Sequence, residues 1–334
     1  MKLFDRLVLT AAILAFCVVV LGAYVRLSDA GLGCPDWPGC YGHLTVPQSE
    51  TALQRVQQAY PGKVVEAHKA WKEMVHRYFA GTLGLLILAI FVLAWRHRRQ
   101  WGISPALPTA LFLLVIFQAL LGMWTVTLLL KPVIVSTHLL GGMTTLALLV
   151  WLAQRRWASP AARCTAHDDR LRPWVRLGVL VLALQIFLGG WTSSNYAALA
   201  CPDFPHCQGA WLPPMDFANA FYLVRELGVS ADGTQLPLAA LTAIHWSHRL
   251  GALLTFLYLG WLALQLMRSQ SLAWWGHLLA ALLLMQVALG ISNVVLSLPL
   301  PVAVAHNAGA ALLLIALVLL NSKLTVKSGR GYIS

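Results

Sequence analysis

Charge is what this sequence has least of. Only 11% of its 334 residues are charged, and just 12 of them are Asp or Glu. Hydrophobic residues make up 59%, and the mean hydropathy is +0.70. A soluble domain of this length cannot carry so much apolar surface with so little charge, so that class is excluded. Processing signals are missing too. Lys2 and Arg6 precede an apolar stretch, as in a secretory leader, but that stretch runs for 19 residues and no A-x-A site follows it, so a retained helix is expected. No Arg- and Ser-rich transit peptide stands before it, which favours a bacterial plasma membrane over an organelle.

What the chain does have is long apolar runs, at about 7–25, 78–95, 106–130, 133–153, 174–194, 238–264, 272–298 and 302–320. Each can cross a hydrocarbon core of about 30 Å as a helix. The expected fold is therefore an all-α integral membrane protein with eight spans. The formal charge of +12 does not mark a nucleic-acid partner, because the basic residues form no patch. Lys2 and Arg6, Arg96, Arg98 and Arg99, then Arg155, Arg156, Arg163, Arg170, Arg172 and Arg176, then Arg268, and last Lys323, Lys327 and Arg330 gather at alternate ends of the spans. This positive-inside pattern puts both termini in the cytoplasm and two long loops, about 26–72 and 195–237, on the outer face of the lipid bilayer.

The two halves repeat each other. At an offset of 167 or 168, "LGAYVRLSDAGLGCPDWPGC" (21–40) overlays "LGGWTSSNYAALACPDFPHC" (188–207), and "QALLG" (118–122) overlays "QVALG" (286–290). "HRYFAGTLG" (76–84) matches "HRLGALLTF" (248–256) at an offset of 172, because the outer loops differ in length. Two tandem four-helix bundles are expected, at 1–155 and 173–334 with a cytoplasmic linker at 156–172. An even number of spans per repeat keeps the copies in one orientation, with a pseudo-two-fold axis along the membrane normal.

Every even-numbered span carries a histidine near its outer end: His76, His138, His248 and His306. His138 lies six residues beyond Pro132 and His306 five beyond Pro301, which places both roughly 8 Å into their helices. Two imidazoles on facing helices can ligate one iron from opposite sides, and the adjacent Gly81, Gly84, Gly141, Gly142, Gly251, Gly309, Ala310 and Ala311 leave room for a flat macrocycle. The competing reading is four polar residues bonded across helices or lying at the interface. Unneeded ionisable groups are costly in lipid, which favours two haem sites. His43, His97, His167, His206 and His277 show no such placement.

Arg77 and Arg249 each follow one of these histidines and suit a haem propionate, or else snorkel to the interface. Glu73 breaks the repeat. It lies at i−3 from His76, on the same helix face, whereas its counterpart is His245. A carboxylate facing a cofactor within a membrane is a functional candidate, with ordinary solvation as the alternative. Two unequal sites suggest that one haem is a tool and the other a substrate.

"CPDWPGC" and "CPDFPHC" lie in outer loops, where the compartment is oxidising, so disulfides Cys34–Cys40 and Cys201–Cys207 are expected. Two thiols per site are too few for structural zinc, and the C-x-x-C-H haem-attachment motif is absent. Cys17 and Cys164 have no evident partner and are expected to be free.

"EMVHR", "STHLLGG", "HWSHRLGA", "VAHNAGA" and the two Cys pairs, in this order on eight spans, resemble the haem A synthase family over nearly the whole chain. The resemblance implies oxidation of the C8 methyl of haem O to the formyl group of haem A. It implies that His248 and His306 hold a haem b cofactor that relays electrons, and that His76 and His138 bracket the substrate porphyrin with Glu73 near the reacting methyl. A haem O synthase and an electron-transfer protein are the partners it implies. The rival class is a di-haem b-type electron carrier that alters no substrate, and a third is a haem transporter or chaperone.

Overall fold

The structure, a computed structural model, describes residues 1–101, 104–157 and 166–325. Arg163, Cys164, Lys327, Arg330, part of the expected linker and the side chain of His167 lie outside the described residues. Among the described residues, eight helices are long and apolar enough to span a membrane, and there is no strand. They are α1 (Lys2–Leu27), α2 (Ala67–Arg96), α3 (Ala106–Thr127), α4 (Pro132–Trp157), α5 (Ala166–Ser194), α6 (Leu238–Met267), α7 (Ala273–Val295) and α8 (Leu300–Thr325). The chain is a multi-pass, all-helical membrane protein.

The expected number of spans holds, but their ends differ. The apolar run in α2 begins at about residue 78, yet the helix starts at Ala67, so Glu73 and His76 sit within it rather than before it. Hydropathy misses this extension because its first turns are covered by a folded loop: Ala70, Glu73 and Met74 are buried there.

Two short turns join α3 to α4 and α7 to α8. Leu129 and Leu130 adopt left-handed φ of 51° and 57°, and Ser297 and Leu298 adopt 57° and 64°. In each turn the second residue donates its N–H back to a carbonyl of the preceding helix, Leu130 to Thr125 at 2.8 Å and Leu298 to Asn293 at 2.7 Å, so the left-handed backbone closes the helix end. Pro132, with no N–H to leave unsatisfied, then opens α4.

α1, α2, α3 and α4 contact one another in a closed ring, as do α5, α6, α7 and α8; the rings meet through α1 and α4 on one side and α5 and α8 on the other. At the end of the molecule that bears the N-terminus, Phe4, Val8, Ile87, Leu146, Leu259 and Leu317 belong to one fully packed core that spans both rings. Asp5 pairs with Arg156 at 2.8 Å at this end. At the opposite end the helices enclose a cavity instead, and the two long loops fold over it.

Each loop is pinned by a disulfide hairpin. Cys34 is bonded to Cys40 and Cys201 to Cys207, with Cα atoms 4.8 and 4.6 Å apart. The tip is a two-residue turn with positive φ at both positions, Tyr41 and Gly42 in the first loop and Gln208 and Gly209 in the second. The aspartate of each C-P-D segment closes it: Asp36 accepts from the N–H groups of Tyr41 and Gly42 at 2.6 and 2.7 Å, and Asp203 from those of Gln208 and Gly209 at 2.6 and 2.9 Å. Tyr196 of the second loop donates to Asp29 of the first at 2.9 Å, and Arg26 donates to the carbonyl of Ser193 at 2.7 Å, so the loop ends of α1 and α5 are stitched together. Cys17 is a free thiol within α1.

Candidate functional site

The four expected histidines would be ordinary polar side chains if they faced separate surroundings. Instead His76, His138, His248 and His306 all line one cavity of about 1440 Å³. Glycine lets them do so. A Cβ built on Gly22 would lie 3.1 Å from Cε1 of His76, one on Gly122 3.5 Å from His138, one on Gly189 3.1 Å from His248, and one on Gly290 3.0 Å from His306. Each ring therefore packs on bare backbone of a neighbouring helix; a Cβ would press on His76, His248 and His306, and would reach ordinary contact with His138. Gly22 and Gly189 are repeat equivalents, as are Gly122 and Gly290. The sequence reading assigned these four glycines no role, although they stand inside the repeat segments that revealed the duplication.

The small residues that the sequence singled out divide into two sets. A Cβ on Gly81 or Gly84 would meet nothing within 4 Å, and Gly142 faces only Val19; these, with Ala310, line the open cavity. Gly141, Gly251 and Gly309 are instead the seats of the amide groups of Gln118, Gln185 and Gln286. Ala311 is buried in the core.

The rings of His248 and His306 are 6.5 Å apart between centroids and nearly perpendicular, at 84°. Two imidazoles that share a metal atom, each nitrogen about 2 Å from it, keep a separation of about 6 Å. Nδ1 of His76, of His138 and of His306 is buried without a hydrogen-bond partner, as is that of His245. Among the described residues no three His, Cys, Asp or Glu side chains converge to hold a bare metal ion. Pairs of imidazoles beside a large apolar space fit an iron whose remaining ligands come from a macrocycle.

Glu73 is buried, 4% exposed, and lines the cavity. Its Oε1 pairs with Arg77 at 2.5 Å, and its Oε2 accepts the N–H of Cys34 at 3.0 Å. Arg77 also donates to the carbonyls of Asp36 and Pro38, at 2.9 and 3.2 Å, and to that of Gly39. In the second ring Arg249 donates to Nε2 of His245 at 3.2 Å and to the carbonyls of His206 and Cys201 at 2.7 and 2.8 Å. Both guanidinium groups border the cavity. Their hydrogen bonds run to the disulfide hairpins, which they lock onto α2 and α6. One ring thus presents a carboxylate with its guanidinium, and the other an imidazole with its guanidinium, at equivalent places.

Imidazoles gathered around one large apolar cavity are what an all-helical membrane protein would need in order to hold a haem. The relatives sharpen this. The family model described as COX15-CtaA, cytochrome oxidase assembly protein, matches residues 5–318. A protein named heme A synthase from Shewanella oneidensis is 47% identical over 311 residues, 93% of each chain. Proteins of the same name from Caulobacter vibrioides and Halalkalibacterium halodurans are 27% and 26% identical, over 91% and 86% of this chain and 90% and 86% of theirs. The chain belongs to the COX15-CtaA family.

Proposed function

We propose that this chain is an oxidoreductase of haem A biosynthesis, which takes haem O as its substrate and oxidises the C8 methyl to a formyl group. Its extensive identity to a protein named heme A synthase supports the reaction class. The observation that carries the assignment of roles is the unequal pair at one place in the two rings, Glu73 against His245.

In this reading residues 1–155 form the substrate bundle and 173–334 the cofactor bundle, joined by 156–172, and a pseudo-two-fold axis along the membrane normal relates them. His76 and His138 bracket the substrate porphyrin; His248 and His306 are the ligands of haem b, which when bound supplies a one-electron relay. The apolar wall keeps bulk water from the reacting carbon. Each of two oxidation steps removes two electrons and, where water supplies the oxygen, two protons; the resulting geminal diol loses water to leave the aldehyde. The carboxylate of Glu73, held by Arg77 and the Cys34 N–H, is placed to take the proton of the attacking oxygen and to offset positive charge developing at the carbon. The electrons leave to a redox partner. Arg77 and Arg249 hold the loops closed over the cavity, and their guanidinium groups would supply the positive charge for haem propionates. The bundle sits in a bacterial inner membrane with both termini cytoplasmic, and a haem O synthase delivers its substrate.

Pigment extracted from the purified protein tests this reading. Haem O or haem A beside haem B is expected. Haem B alone, with no conversion of added haem O by membranes carrying the protein, would make the chain a di-haem electron carrier.

A further inference from the structure

The helices that face the four histidines carry a repeated motif. α3, α5 and α7 each have Gln-x-x-x-Gly: Gln118 with Gly122, Gln185 with Gly189, and Gln286 with Gly290. The glycine receives the imidazole, and the glutamine, one turn away, lies on the glycine three residues past that histidine: Gly141, Gly251 or Gly309. α1 departs from the pattern. It has Gly22 against His76, but Val18 stands where the glutamine belongs, and Phe79 stands where the seat for an amide belongs.

The amides do not engage their rings equally. Nε2 of Gln185 is 3.0 Å from Nδ1 of His248 and 3.1 Å from its carbonyl oxygen, which makes this the closest bracing of the set. Nε2 of Gln286 is 3.4 Å from Nε2 of His306. Nε2 of Gln118 and Nδ1 of His138 are both buried without partners. Which end of an amide meets a ring nitrogen follows from the ring's protonation. When His248 ligates a metal through Nε2, its Nδ1–H must donate, and a half-turn of the amide makes the buried, otherwise unpartnered Oε1 of Gln185 its acceptor, giving up the Nε2–H bond to the His248 carbonyl in exchange.

We propose that Gln185 is the positioning residue of His248, and that the absence of its counterpart at Val18 leaves His76 unbraced, so that the second ring retains its haem while the first exchanges it. The proposal rests on the assignment of haem b to the second ring. An acceptor on Nδ1–H fixes the tautomer and ring plane and makes the imidazole a stronger donor to iron. A permanent cofactor gains from that. A site that must bind one porphyrin and release another does not.

The test compares full-length Gln185→Leu, Gln185→Glu and parent protein, each loaded with iron protoporphyrin IX in detergent. The midpoint potential of the haem held by the second ring is measured, with its rate of transfer to an apo-globin acceptor. Gln185→Leu removes the acceptor, so the potential is expected to rise and transfer to speed by roughly tenfold, the lower end for loss of a ligand's hydrogen-bond partner. Gln185→Glu offers a stronger acceptor, so the potential is expected to fall below that of the parent. Shifts of opposite sign separate bracing from packing, which both substitutions disturb. Unchanged potentials in both variants, or shifts of one sign, would overturn the proposal; if Gln185→Leu does not insert, the direction given by Gln185→Glu decides. His248→Ala serves as the control: should it keep the same haem b, the assignment of the cofactor to this ring fails, independently of Gln185.

Discussion

Glu73 can be separated from its surroundings because its two oxygens have different tasks, one against Arg77 and one against the Cys34 N–H. Glu73→Gln keeps an oxygen for the amide and loses the charge. The loop should stay docked and the haem b spectrum intact, while conversion of haem O falls roughly a hundredfold or more, the usual contribution of a general base. Loss of insertion or of all bound haem in that variant would make Glu73 a structural residue. The glycines make a second contrast. Glycine inside a helix costs about 0.5–1 kcal/mol relative to alanine. Gly81→Ala, whose new methyl meets nothing within 4 Å, should therefore raise the thermal stability of haem-free protein slightly. Gly189→Ala, whose methyl would lie 3.1 Å from His248, should lower it and displace the ring. Equal melting shifts in the two variants would contradict the packing described for the imidazoles. The histidines and Glu73 are legible in the sequence because ionisable groups stand out in an apolar run. Their glycine and glutamine partners were not, since a glycine or glutamine in such a run has no meaning until the facing helix is known.

At the scale of elements, the disulfide hairpins are the parts that hold each site shut, because Arg77 and Arg249 bind hairpin carbonyls. The cysteine pairs were readable from their spacing and compartment. The roles of Asp36 and Asp203 were not, because a turn with two left-handed residues, one of them Tyr41 or Gln208, leaves only a weak sequence signal. Asp203 yields a pH prediction. The N–H of Gly209, with that of Gln208, holds its carboxylate below the ordinary aspartate value of 3.8. A depressed value means that the charged form is favoured in the folded hairpin. Its contribution is full above 3.8 and is lost as the pH falls through the lowered value. Amide exchange at Gln208 and Gly209 should therefore stay protected down to about pH 4 and accelerate below it beyond the intrinsic rate. Asp203→Asn should abolish that transition. Protection that is independent of pH in the parent would show that the carboxylate does not close the turn. The helix ends were the least readable elements, and α2 shows why: its first turns are shielded by protein, so they need not be apolar.

Across the whole molecule, the repeat was read from recurring segments, and the helix contacts close α1 to α4 and α5 to α8 into two rings. The joining of the rings was not legible. Arg26 with Ser193, and Asp29 with Tyr196, are cross-ring pairs whose members are 167 residues apart, the repeat offset itself, so equivalent positions meet but carry different side chains. That difference, like Glu73 against His245 and Val18 against Gln185, is what would let one architecture hold the two unlike haem sites proposed above. The central claim is that the second ring keeps a cofactor while the first turns over a substrate. Single alanine variants of the four histidines test it most directly, through the haem b spectrum of the purified protein and its conversion of haem O. His248→Ala and His306→Ala should strip or strongly shift the haem b signal, whereas His76→Ala and His138→Ala should keep it and lose conversion. Haem b lost from the first-ring variants and kept in the second-ring variants would reverse the roles, and the same effect in all four would contradict the division altogether.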